Sequence, residues 1–117
     1  MNYTEFRAKQ HSLENTALLG VVAQEKLAPS YREAILTEKS KLQKPRAAAV
    51  LALFYPNAAG ETTFLLTKRA SYNGTHSAQI SFPGGKREAA DVSLSETALR
   101  EAYEEVGVAI ENIQIVK

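Results

Sequence analysis

Cysteine and tryptophan are absent from this 117-residue chain, and methionine occurs once. Without cysteine there is no disulfide, no thiolate metal site and no thiol nucleophile, so any metal would be held by oxygen or by His11 and His76. Oxygen ligands point to hard cations. No apolar run approaches the roughly 20 residues that span a bilayer. The segment Met1–Glu5 also lacks the basic region and apolar stretch of a secretory signal, so a cytoplasmic protein with no membrane partner is expected. A strong charge of either sign is missing too. The formal net charge is +1, with eight Lys/Arg against five acids in residues 1–46 and six against eight in residues 47–117. Such a balance offers no dedicated groove for nucleic acid. What remains is an ordinary globular composition, 44% hydrophobic and 23% charged, in a length suited to one hydrophobic core.

Residues 1–46 read as an N-terminal extension of short helices and loops, with Tyr3, Phe6 and Leu13 on a patchy apolar face and a helix starting at Pro29-Ser30 and running to Leu36. Residues 47–117 form the main domain. It opens with an apolar strand from Ala47 to Tyr55, a turn at Pro56–Gly60 and a second strand from Thr62 to Arg69, which together predict a hairpin. A polar stretch over 70–79 leads to a short extended piece, Ile80-Ser81-Phe82, that Pro83-Gly84-Gly85 stops; the segment after Gly85 reads as a loop. Ser93 and Glu96 form a capping-box pattern and Gly107 a left-handed stop, predicting a helix over Leu94–Val106. The alternation from Ile110 to Val116 predicts a final strand with Ile113 and Ile115 on one face.

On that helix Leu94, Ala98, Leu99, Ala102 and Val106 share the arc that would pack on a sheet. Glu101 and Glu105 lie together beside it, and Glu104 is about 60° further round. Three carboxylates therefore crowd one flank near the C-terminal end of the helix, where the helix dipole and like-charge repulsion both oppose them. A divalent cation reverses the sign of that cost. An acidic triplet alone is more often a solvated surface than a metal site, so the surrounding sequence decides.

Residues Arg100-Glu101-Ala102-Tyr103-Glu104-Glu105-Val106-Gly107-Val108 match the second half of the Nudix box, R-E-U-x-E-E-x-G-U, and Gly85 matches the glycine that opens it. The chain thus resembles the Nudix hydrolases. Arg100 falls fifteen residues after Gly85, one more than in the commonest form, and Asp91 stands near where a glutamate is expected; one extra loop residue accounts for both. The resemblance implies an α/β (α+β) fold, a mixed sheet sandwiched by helices. It implies that Mg²⁺ or Mn²⁺ is bound by Glu101, Glu104 and Glu105, that Arg100 holds a neighbouring carboxylate in place, and that Glu104 either ligates metal or acts as general base beside Glu105. Leu65-Leu66-Thr67-Lys68-Arg69 followed by Phe82-Pro83-Gly84-Gly85 resembles the additional signature of the coenzyme A pyrophosphatases in that superfamily, with Gly74 in place of its arginine and Ala78 in place of its glycine. This implies a coenzyme A-like nucleotide substrate contacted by Arg69, Pro83, Gly84 and Gly85, and the products 4'-phosphopantetheine and 3',5'-adenosine bisphosphate. Two other functions share the motif: hydrolysis of another nucleoside diphosphate such as ADP-ribose, and a non-catalytic binding module on the same fold.

Ten residues follow Gly107, fewer than the further strands and second major helix that the resemblance calls for. The domain is therefore expected to be truncated at its C-terminal side, with an apolar sheet face that a missing helix or a homodimer partner would cover.

Overall fold

A computed structural model of the chain describes residues 1–26, 28–29, 46–69 and 79–116. Residues 30–36 of the helix expected from Pro29 to Leu36, and Gly74, His76 and Ala78, lie outside these residues. Three short helices come first, α1 (Tyr3–Ala8), α2 (Gln10–Asn15) and α3 (Val21–Lys26). The strands β1 (Ala48–Val50), β2 (Phe54–Pro56), β3 (Thr62–Phe64), β4 (Thr67–Lys68), β5 (Ile80–Ser81) and β6 (Gly84–Lys86) follow, then the long helix α4 (Leu94–Val106) and a 3-10 turn at Ile110–Asn112. The result is an α+β arrangement.

All three described strand pairs are antiparallel: β1 with β6, β2 with β3, and β4 with β5. The expected strand from Ala47 to Tyr55 is broken because it serves two partners. Its first part pairs with β6, Ala49 opposite Gly85, and its second part pairs with β3, Phe54 opposite Phe64. Between them, Leu51 N–H donates to Pro83 O at 2.8 Å and Leu65 N–H to Leu53 O at 3.0 Å, so the backbone stays satisfied through the corner. The run from Thr62 to Arg69 divides in the same way, β3 facing β2 and β4 facing β5. Each of the three extended runs, 48–56, 62–68 and 80–86, therefore pairs with both others.

Two expectations are corrected here. The segment after Gly85 is not a loop at once: Gly84, Gly85 and Lys86 form β6, and Arg87 N–H still donates to Ala47 O. Glycines carry little intrinsic strand preference, but without a Cβ at Gly85 the strand leaves the space that the Glu101 carboxyl of α4 occupies. The stretch Ile110–Val116 is not a strand either. Its start closes on itself, with Asn112 N–H on Ala109 O and Ile113 N–H on Ile110 O at 3.0 Å each, and Ile113 turns in to the core.

Helix α4 has the boundaries its sequence predicts. Ser93 is extended, and its hydroxyl accepts from Glu96 N–H at 3.1 Å; the Glu96 carboxylate in turn accepts from Val92 N–H. Gly107 ends the helix at φ 70°, and its N–H reaches Tyr103 O. The face that α4 buries is narrower than the predicted arc. Ala98 and Ala102 pack on Leu51, with Ala49, Leu53, Leu99 and Ile113 around them, while Leu94 stays about half exposed. Alanine at these two positions lets the helix lie close to β1 and β6.

The far side of the sheet is only partly covered. Phe6 of α1 stacks on Phe54 with ring centroids 4.9 Å apart, and Phe54, Phe64 and Phe82 continue an aromatic row at 6.1 and 6.2 Å. The N-terminus is tied to the hairpin as well, through Tyr3 N–H on Gly60 O and Thr62 N–H on Met1 O. Val50, Phe64, Leu66 and Ile80 nevertheless remain exposed. No described helix is long and apolar enough to cross a membrane.

Candidate active site

Three pieces of chain converge on the acidic flank of α4: the glycine strand β6, the connection 87–93, and the second half of the helix. Helical spacing places Glu101 and Glu105 one turn apart, and both turn to the glycines. The Glu101 carboxyl lies so close over Gly85 that a Cβ there would overlap it. Glu105 Oε2 accepts from Gly84 N–H at 3.2 Å. Gly84 is itself confined, because a Cβ would run into the backbone of Ala49 and Val50. Glycine at both positions is what lets strand, helix and carboxylates meet.

Glu104 points elsewhere. Its carboxylate, largely exposed, accepts from Arg100 Nη1 at 3.3 and 3.4 Å. Among the described residues no three acidic or imidazole groups gather at one point to hold a metal ion. The donor chemistry still fits a hard divalent cation: Glu101 and Glu105 offer carboxylate oxygens on one flank, beside a main chain with no side chains to block approach.

Arg100 is the hub. Nε donates to Asp91 Oδ1 and Nη2 to Asp91 Oδ2, both at 3.0 Å, a bidentate pair. Nη2 also donates to Lys86 O at 3.1 Å, and Nη1 reaches Glu101 Oε1 at 3.2 Å as well as Glu104. A guanidinium has five N–H donors, and these contacts engage all of them. Arg100 thereby ties Asp91, Glu101, Glu104 and the Lys86 carbonyl to one side chain.

Asp91 is 5% exposed and accepts two further hydrogen bonds on Oδ2, from Glu88 N–H and from the Thr97 hydroxyl, each at 2.9 Å. The hydrogen bonds from Arg100 hold its carboxyl well below the usual carboxylate range, with help from the Glu88 N–H; burial opposes the shift and Thr97 adds to it. The same pairing with Asp91 raises Arg100 above the ordinary arginine value. The connection between Gly85 and Arg100 closes on itself through Arg87, whose guanidinium donates to Asp91 O at 3.0 and 3.2 Å and to Val92 O at 3.3 Å.

Of the other expected site residues, Pro83 is fully buried and offers its carbonyl to Leu51, while Arg69 ends the β4–β5 ribbon with its N–H on Gln79 O and its side chain exposed. The structure does not bring the Arg69 guanidinium into an ion pair with the acidic flank among the described residues. In sequence Asp91 stands near where a glutamate is expected, and Thr97 carries no expected role. Helical spacing sets the Thr97 hydroxyl on the same flank as Glu101 and Glu104, and in the fold it is completely buried.

Comparison with known proteins gives three findings. The NUDIX domain family matches residues 44–117, more than half of the chain. The chain is 39% identical over 93 residues to the mitochondrial Nudix hydrolase 15 of Arabidopsis thaliana, covering 80% of this chain and 30% of that protein. It is 41% identical over 73 residues to the chloroplastic Nudix hydrolase 22 of the same plant, covering 62% and 24%, and 48% identical over 54 residues to the uncharacterized Nudix hydrolase NudL of Pectobacterium atrosepticum, covering 46% and 28%. The chain thus spans less than a third of the length of these relatives. No solved structure matches it.

Proposed function

The chain belongs to the Nudix family, and on that premise we propose that it carries the metal-binding half of a hydrolase that cleaves the pyrophosphate bond of coenzyme A or a close derivative. The observation that carries this reading is the seating of Glu101 on Gly85 and of Glu105 on the Gly84 N–H, which sets two carboxylates against bare main chain. Nudix hydrolases typically use divalent metal ions; here Glu101 and Glu105 would hold Mg²⁺ or Mn²⁺, with Glu104 as a further ligand or as general base. When bound, such an ion neutralises charge on the phosphate oxygens and lowers the pKa of a water. Asp91 and Arg100 keep Glu101 and Glu104 in position, and Gly84 and Gly85 leave room for the diphosphate beside them. A water attacks one phosphorus as its bond to the bridging oxygen breaks, that oxygen leaves with the other phosphate, and Glu104, where it acts as general base, takes the proton. The products are 4'-phosphopantetheine and 3',5'-adenosine bisphosphate.

The choice of coenzyme A rests on the resemblance of Leu65–Arg69 and Phe82–Gly85 to the signature of that group. A cytoplasmic site of action remains part of the proposal. The test is catalytic efficiency of the full-length protein on coenzyme A and on ADP-ribose at saturating Mg²⁺, with coenzyme A expected to be preferred. Preference for ADP-ribose rejects the substrate and keeps the reaction. No turnover of either, in a protein that still binds them, supports a binding module instead.

A further inference from the structure

We infer that Thr97 is a positioning residue of the acidic site: its buried hydroxyl fixes the Asp91 carboxylate, and through Asp91 it orients Arg100 and the two glutamates that Arg100 holds. Thr97 is 0% exposed, and its hydroxyl has two acceptors in reach, Asp91 Oδ2 at 2.9 Å and Ser93 O at 3.2 Å. It has one proton to give. Ser93 O already accepts from Thr97 N–H at 3.1 Å, whereas Asp91 Oδ2 is charged and nearer, so the proton goes to Asp91.

The consequence is geometric. A carboxylate can rotate about its bond to Cβ, and a bidentate pair with Arg100 requires both oxygens in the guanidinium plane. Glu88 N–H approaches Oδ2 from the connection 87–93, and the Thr97 hydroxyl approaches the same oxygen from the helix. Two donors from different elements pin one oxygen, which leaves the other aimed at Arg100 Nε. Thr97 and Arg100 lie three residues apart on α4, so the hydroxyl and the guanidinium grip Asp91 from neighbouring turns of one helix. This grip also suits the shorter acid: with aspartate in place of glutamate and one extra residue in the connection, a helix-borne donor helps fix where the carboxylate stops. Arg100 then presents Nη1 to Glu101 and Glu104.

The test replaces Thr97 in the full-length protein with Val, which keeps the shape and removes the hydroxyl, and with Ser, which keeps the hydroxyl. Two properties are read: solvent exchange of the Arg100 Nε–H by NMR, and Mn²⁺ affinity by calorimetry. In T97V the Arg100 Nε–H should exchange roughly tenfold faster, the scale of one lost charge-assisted hydrogen bond. Mn²⁺ binding should weaken about tenfold, as when an outer-shell partner is removed. T97S should rescue both. If Val prevents folding, Ala against Ser carries the same comparison. Unchanged exchange in a folded variant without the hydroxyl overturns the inference, as does a Ser variant as impaired as Val, which would assign Thr97 to packing alone. The functional half of the inference rests on the hydrolase reading, and the two fail separately: a parent protein that binds no Mn²⁺ rejects the metal site, while the Arg100 exchange still decides the role of Thr97.

Discussion

Replacing Gly85 with Ala separates the site from the fold. Gly85 is not among the glycines with positive φ, so alanine fits its backbone, and strand register with Ala49 is unaffected by a methyl group. What the methyl meets is the Glu101 carboxyl, which is the mobile end of a side chain and can retreat. To restore an ordinary separation of about 3.5 Å between heavy atoms it must move by about 1 Å. Folding stability should therefore hold, or rise by up to about 1 kcal/mol because alanine restricts the unfolded chain. With Glu101 as a metal ligand, as proposed, a displacement of that size should lower turnover by about 100-fold. The assay is kcat/KM for coenzyme A in full-length protein beside a thermal melt. Adding Glu101→Asp to the Ala variant shortens the side chain and should recover part of the loss. Full activity in a folded Gly85→Ala protein would refute the claim that the Glu101 seat matters, and loss of folding together with activity would show that the glycine serves the strand.

Gly107→Ala should destabilise by about 1 kcal/mol, since φ is 70° and no atom lies near enough for a Cβ to touch, so the backbone conformation alone is at issue; a melting temperature lowered by several degrees checks it, and an unchanged one refutes it. Asp91 carries a pH prediction. Its folded pKa is depressed, so its contribution to stability is complete above its ordinary value of 3.8 and is lost as pH falls below it. The stability difference between parent and Asp91→Asn, measured by denaturant melts, should be constant from pH 7 to about 5 and shrink below 3.8; a gap that stays constant to pH 3 contradicts the ion-pair account. The 117-residue chain should bind a dye that reports apolar surface, or associate with itself on concentration, because Val50, Phe64, Leu66 and Ile80 are exposed on the far side of the sheet; a dilution series by light scattering showing a dye-free monomer would overturn this.

Legibility followed how local each determinant is. Helix α4 was readable to the residue because Ser93, Glu96 and Gly107 act within one turn of its ends. The positions of Glu101, Glu104 and Glu105 followed from helical spacing, but their divergence did not: Glu101 and Glu105 turn to glycines from a distant strand, and Glu104 turns to Arg100. The strand β6 was missed because Gly84-Gly85-Lys86 has no alternation and is specified by its partner β1. The reverse holds at Ile110–Val116, where alternation is present and, among the described residues, no strand pairs with it. The hydrogen bond between Asp91 and Thr97 has no sequence signature, because the burial that gives it weight comes from packing and not from spacing.

The mutual pairing of the three extended runs has a consequence for the order of assembly. The β2–β3 hairpin joins residues ten apart at Phe54 and Phe64, and α4 can begin from its own caps, so both can arise early. The β1–β6 pair joins Ala48 to Lys86, thirty-eight residues away, and must close a much larger loop before its contacts return anything. The glycines that seat Glu101 and Glu105 belong to that late pair. On that ordering the hairpin and the acidic helix precede the docking of β6, so Glu101 and Glu105 reach their glycine seats only once that long-range pair has closed.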